Sequence, residues 1–197
     1  MNKTLGFLAA LAAATAMAAA PAEATPRDEV MFLTLDGGVP IPVSHPVRDA
    51  LDPGFVGGAG LYHTWAPAFA AGLRAHGGFF AGQGRHHDAS GFGLFSVALR
   101  VRPFAARADV RRATGPWFEG GMGLGLLDVP GDGADARFTL EGATGWGFPL
   151  GRVGLSPFFR VMHFVDLHHD DVVAVVFGAE VNIFDRRIDR ALALPGD

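Results

Sequence analysis

The sequence predicts an all-β chain, an eight-stranded antiparallel up-and-down barrel, and three observations carry that expectation. After residue 28 the apolar residues recur mainly with period two; the alternating stretches are about ten residues long and number eight; and the connections between them tend to alternate between long and short. Composition agrees. The 28 glycines among 197 residues argue against a helical bundle, because each interior glycine costs about 1 kcal/mol relative to alanine in a helix. A hydrophobic content of 49% excludes a disordered chain, the absence of cysteine excludes a disulfide scaffold, and a net charge of -4 offers no footprint for nucleic acid.

The first element is a targeting segment rather than a part of the fold. Lys3 supplies a positive start, residues 5–20 an apolar stretch, and Ala22, Glu23 and Ala24 an A-x-A cleavage site, so residues 1–24 read as a signal peptide removed before Thr25. No later run of 18 apolar residues exists, so the mature chain has no candidate membrane helix. Strands are expected over 30–39, 55–65, 69–80, 92–103, 117–127, 137–148, 153–166 and 172–184, within a barrel domain of residues 25–184 followed by a short tail, 185–197. Strands of this length match the 9–11 residues that span a bilayer.

Connections 40–54, 81–91 and 128–136 are expected to be long and 66–68 and 149–152 short, with both termini on the short-turn side. The segment 104–115, containing ARADVRR, breaks this alternation.

Charge separates by face in the strands that carry it. Phe69, Ala71, Leu73, Ala75 and Phe79 alternate with Gly72, Arg74, His76 and Gly78, and Phe95, Val97, Leu99 and Val101 with Ser96, Arg100 and Arg102. Phe118, Met122, Leu124 and Leu126 oppose Glu119 and three glycines; Phe138, Leu140, Trp146 and Phe148 oppose Arg137, Thr139 and Glu141; and Val173, Val175, Phe177, Val181 and Ile183 oppose Gly178, Glu180 and Asn182. A face mixing Arg, Glu and Gly is unlike a solvated surface, and Lys3 is the chain's only lysine. Arginine and glutamate pair bidentately across a narrow lumen, while an arginine facing lipid at the midplane costs about 2–4 kcal/mol. The expectation is a transmembrane barrel with Arg74, Arg100, Arg102, Arg137, Arg160, Glu119, Glu141 and Glu180 in one interior network that fills it.

These residues resemble the small outer-membrane β-barrels of Gram-negative bacteria, of the OmpA/OmpX and opacity-porin type. The phrases that carry the resemblance are GGAGLYHTWAPAFAAGLRAHGGF for a hairpin, GPWFEGGMGLGL for a glycine-rich central strand, and VGLSPFFRVMHFVD with VVFGAEVNIF for the closing pair. The resemblance implies an outer-membrane location reached through the periplasm, a monomer surrounded by lipid and lipopolysaccharide, and insertion by the barrel assembly machinery, with Phe184 resembling the terminal aromatic residue that this machinery reads. It also implies a structural or surface-interaction role without enzymatic activity or cofactor. The 13-residue tail is too short for the peptidoglycan-binding domain of longer relatives.

Three other readings compete with this one. A narrow pore is disfavoured because eight strands enclose a lumen that side chains fill. A lipid A deacylase would resemble the chain at His163, which is expected to face lipid, but Val161 and Val165 stand where that family has its serine. A soluble lipocalin-like periplasmic binder would need the Arg/Glu/Gly face outside. Candidate metal ligands are His86, His87 and Asp88 in one loop and His168, His169 and Asp170, with Asp171, in another; in an up-and-down barrel both loops emerge at the same rim.

Overall fold

The computed structural model describes residues 30–45, 47–66, 68–83, 89–104, 115–129, 133–150, 153–166 and 171–184. The signal segment 1–24, the tail 185–197 and most of 104–115 lie outside the described residues. Eight antiparallel strands close into one up-and-down barrel: β1 (Val30–Pro42), β2 (Leu51–Ala66), β3 (Phe69–Gly82), β4 (Ser90–Val101), β5 (Gly115–Val129), β6 (Gly133–Leu150), β7 (Val153–Val165) and β8 (Val172–Phe184), with β1 paired to β8. A one-turn helix, α1 (Val47–Ala50), precedes β2.

The register fixes the geometry of closure. Partners run from Phe32 through Tyr62, Gly72, Ala98, Gly121, Glu141, Met162 and Ala174 back to β1 at Pro42, ten residues beyond the start. With eight strands about 4.8 Å apart and about 3.3 Å per residue, this stagger gives a tilt of about 41° and a backbone radius of about 8 Å. Such a lumen is wide enough only for side chains.

Polarity is inverted relative to a soluble barrel. Leu35, Phe55, Leu73, Phe95, Val97, Phe118, Leu124, Phe138, Trp146 and Phe177 are exposed on the outside, while Arg74, Arg100, Arg160, Glu119, Glu141 and Glu180 are buried inside. Among the described residues, the outer face between the rims carries no Asp, Glu, Lys or Arg; Asp52 and Asp128 are its first charges, at the end opposite the termini.

The interior is layered along the axis. Near the termini Phe32 stacks on Tyr62 at 5.0 Å, with Ala70 and Trp117 in the same layer. The charged belt comes next. The half towards the loop end is apolar: Val56, Phe80, Phe92, Leu94, Leu127, Met162, Phe164, Val172, Ala174 and Val176 pack together, and Val47 of α1 and Leu51 cap them. Glycines on the inner wall make room for the large belt side chains. A Cβ at Gly60 would stand 2.8 Å from both Thr34 Oγ1 and a Tyr62 ring carbon, and one at Gly145 would stand 2.6 Å from the Trp117 ring.

Two connections differ from the sequence expectation. The expected long loop 40–54 shrinks because β1 continues to Pro42: past Gly38 it pairs only with β8, so Pro40 and Pro42 turn their missing N–H towards an unpaired edge. A register shift between Asp52 and Phe55, beside Pro53, marks an irregularity that starts β2 early. The expected loop 128–136 shortens to a connection of three residues, because the β5–β6 ladder runs to Val129 opposite Gly133, whose φ of 83° suits glycine.

Candidate functional site

The belt is built around Arg74 and Arg100, neighbours on the inner faces of β3 and β4. Arg100 donates from Nη1 and Nη2 to the two oxygens of Glu180, each at 2.7 Å, and from Nε to Glu119 Oε2 at 2.8 Å. Arg74 Nη1 donates to Glu119 Oε1 at 2.9 Å, to Glu180 Oε2 at 3.1 Å and to the Tyr62 hydroxyl at 3.1 Å, while its Nη2 donates to Asp36. Tyr62 donates in turn to Glu119 Oε2 at 2.6 Å, and Asn182 Oδ1 accepts from Arg100 at 3.2 Å. Two arginines and two glutamates from β3, β4, β5 and β8 thus neutralise one another across the lumen. Aromatic faces complete the cradle, with the Arg100 guanidinium 4.2 Å from the Trp117 ring and 4.8 Å from the Tyr62 ring.

Arg160 sits differently, one layer nearer the loop end. Its nitrogens lie 3.7 Å from Asp36 and Glu119 and 3.8 Å from Glu141, outside direct hydrogen-bond range, and Nη1 donates to His76 Nε2. Arg74 Nη2 approaches the same imidazole nitrogen at 3.3 Å, so Nε2 is assigned as the acceptor and Nδ1 as the protonated nitrogen, 3.5 Å from Glu141 Oε2. Glu141 is further held by the Ser96 hydroxyl, which donates to Oε1. Low dielectric makes such pairs strong together and costly singly.

The expected network of eight is smaller at both ends. Arg137 lies at the loop-end rim, 3.0 Å from Asp166, because its place on β6 is four residues above Glu141. Arg102 lies at the opposite mouth, past the end of β4, with its guanidinium 4.6 Å from the centre of the Phe32 ring. Sequence reasoning missed Asp36 and Tyr62 and left His76 out of the network. Their inward phase was the available signal: His76 is two residues from Arg74, Asp36 is the ladder partner of Glu180, and Tyr62 pairs with Gly72, two residues from Arg74.

The outer rim carries a second polar group. His163 faces outward on β7 and pairs with Asp171 at 3.0 Å; Asp171 Oδ1 also accepts the Asp166 N–H at 2.9 Å, tying the two ends of the β7–β8 connection. This backbone bond, with help from His163, lowers the Asp171 pKa below the ordinary aspartate range. The cross-strand neighbours of His163 are Leu140 and Val173, which supply no nucleophile. Of the candidate metal ligands, His86, His87, Asp88, His168, His169 and Asp170 lie outside the described residues, and Asp171 is engaged as above.

The fold is that of the small outer-membrane barrels. No protein-family model matches the sequence, and no curated protein is similar to it at a significant level. Among solved structures, the crystal structure of Neisserial surface protein A (NspA) superposes with a TM-score of 0.59 at 11% identity, covering 78% of this chain and 96% of that one. The N-terminal β-barrel domain of Pseudomonas aeruginosa OprF gives 0.46 at 9% identity over 77% and 97%, and Ail, the attachment invasion locus protein of Yersinia pestis, 0.43 at 10% over 79% and 97%. The likeness is one of architecture.

Proposed function

We propose that this chain is a non-enzymatic protein of the outer membrane whose sealed barrel anchors and displays the loops of one rim at the cell surface, in a structural or surface-interaction role. One observation carries the reading: charge is confined to the lumen and the rims, while the outer face is a continuous apolar surface. That surface fits acyl chains of lipid and lipopolysaccharide, and the barrel is closed except for the short end of β1, whose Pro40 and Pro42 blunt it against strand addition, so the protein works as a monomer. Residues 1–24 direct it to the periplasm, where the barrel assembly machinery inserts it.

The belt and the apolar fill beyond it weigh against conduction, and apolar side chains outside weigh against a lipocalin-like periplasmic binder. Envelope fractionation combined with an epitope inserted between residues 84 and 88 tests the proposal. The protein is expected in the outer-membrane fraction, with the epitope reached by antibody on intact cells and with folded and boiled samples migrating differently on a gel. A soluble periplasmic protein, or an epitope reached only after lysis, overturns it.

A further inference from the structure

The end of the lumen nearest the termini holds hydrogen-bond donors without acceptors, as parts of the belt do, but unlike the belt it has, among the described residues, no carboxylate beside its arginine. Arg102 is 9% exposed, and among the described residues its guanidinium meets no carboxylate: it lies on the Phe32 ring. The two nearest interior carboxylates along the axis, Glu119 and Glu180, are bonded to Arg74 and Arg100. In the same layer the Trp117 indole N–H and the Thr64 hydroxyl are buried and have no hydrogen-bond partner. The amide of Asn182 is already committed, to Arg100 through its oxygen and to the Ser156 hydroxyl, 3.4 Å away, through its nitrogen. Burial first, and then the guanidinium of Arg100, weigh against the charged form of Arg102 and lower its pKa. A buried cation left in this state gains from an anion more than an exposed one does.

We propose that this mouth of the lumen binds a small organic carboxylate, held by the guanidinium of Arg102 against Phe32, with Trp117 and Thr64 as further donors. A guanidinium stacked on a ring keeps its edge free, and that edge matches the two oxygens of a carboxylate. The walls favour this anion over phosphate: Phe32, Tyr62 and Ala70 are apolar, and a planar, singly charged group loses less hydration among them than a dianion. An aromatic or aliphatic body would lie against the same rings.

Trp117 reports on the site directly. The chain's other tryptophans, Trp65 and Trp146, lie on the outer face, so the double variant Trp65→Phe, Trp146→Phe leaves a single lumenal fluorophore. This protein, refolded in detergent, is titrated with benzoate at constant ionic strength, with benzyl alcohol and inorganic phosphate as comparisons. Benzoate is expected to shift Trp117 emission saturably, with affinity lost at least tenfold in Arg102→Gln and partly restored in Arg102→Lys, while benzyl alcohol has no saturable effect. Heat-modified gel migration verifies that each variant is folded, and Thr64→Val provides a variant with the charge intact, expected to bind several-fold more weakly. A benzoate response unchanged in folded Arg102→Gln overturns the proposal. So does phosphate binding without benzoate binding, or the absence of any saturable response, including one caused by a carboxylate of the chain's own ends already seated there.

Discussion

Replacing Arg100 by Met tests whether the belt is held by its tightest member. Arg100 is 1% exposed, and three of its nitrogens bond to Glu119 and Glu180 at 2.7–2.8 Å. Methionine keeps apolar bulk but leaves two buried carboxylates sharing Arg74, which already serves Asp36. Breaking a buried pair costs about 3–5 kcal/mol, and losing the stack on Trp117 adds about 0.5–2 kcal/mol, so the expected destabilisation is about 4–6 kcal/mol. Arg160→Met is the internal comparison: its carboxylates stand 3.7–3.8 Å away and its one direct hydrogen bond is to His76, which predicts about 1–3 kcal/mol. The double variant Arg100→Met, Glu180→Met removes both charges and is expected to cost less than the sum of the two single changes. Urea unfolding of refolded protein, followed by tryptophan fluorescence with gel migration as the folding control, measures all four. If Arg160→Met costs as much as Arg100→Met, or Arg100→Met costs under about 1 kcal/mol, the ranking by contact distance is wrong.

Three further outcomes are expected. Val97 is 57% exposed and the register places it near mid-height on the outer face, whereas Leu126, 60% exposed, is close to the loop-end rim; in liposomes Val97→Arg should cost about 2–4 kcal/mol and Leu126→Arg about 0–1 kcal/mol, and equal costs would contradict the membrane placement. Phe164→Ala, in the apolar half of the lumen, should destabilise by about 3–5 kcal/mol in the same unfolding assay. Asp171 should titrate below the ordinary aspartate value of 3.8 in a carboxyl NMR titration. Because its folded pKa is depressed, its contribution is present above the unfolded pKa and fades as pH falls through the folded one; His163→Ala should move the midpoint part of the way back.

The lumenal phase was legible because a single charged residue per strand settles which alternate set faces inward: Arg74, Arg100, Glu119, Glu141, Arg160 and Glu180 each did so. The loop-end half of the lumen was not legible. There both faces are apolar, as in the adjacent pairs Phe79 and Phe80, Val172 and Val173, and Phe164 beside Val165, so alternation carries no contrast between lipid and plug. Asp36 was hidden in the phrase LDGGVP, whose Asp, glycines and proline resemble a turn, although β1 runs straight through it. The prolines misled for a related reason: an edge that pairs on one side only tolerates them, and pairing partners are not visible in a local reading. Arg102 and Arg137 have the correct phase for the belt, but phase gives no height, and the stagger of the ladder separates them along the axis.

The distribution of belt charges over the strands bears on how the barrel reaches its finished state. The β3–β4 hairpin carries Arg74 and Arg100, β5–β6 carries Glu119 and Glu141, β1 carries Asp36, and Arg160 and Glu180 sit on the last pair. The β3–β4 hairpin entering the bilayer alone would therefore bring uncompensated charge into hydrocarbon, up to about 2–4 kcal/mol for each arginine at the midplane, whereas β7–β8 carries one charge of each sign. Arg74 and Arg100 are neutralised only when β5 and β8, which carry Glu119 and Glu180, have met them around the axis. On this ground a bilayer would act as a proofreader, with entry cheapest for a cylinder whose first and last strands have already found each other.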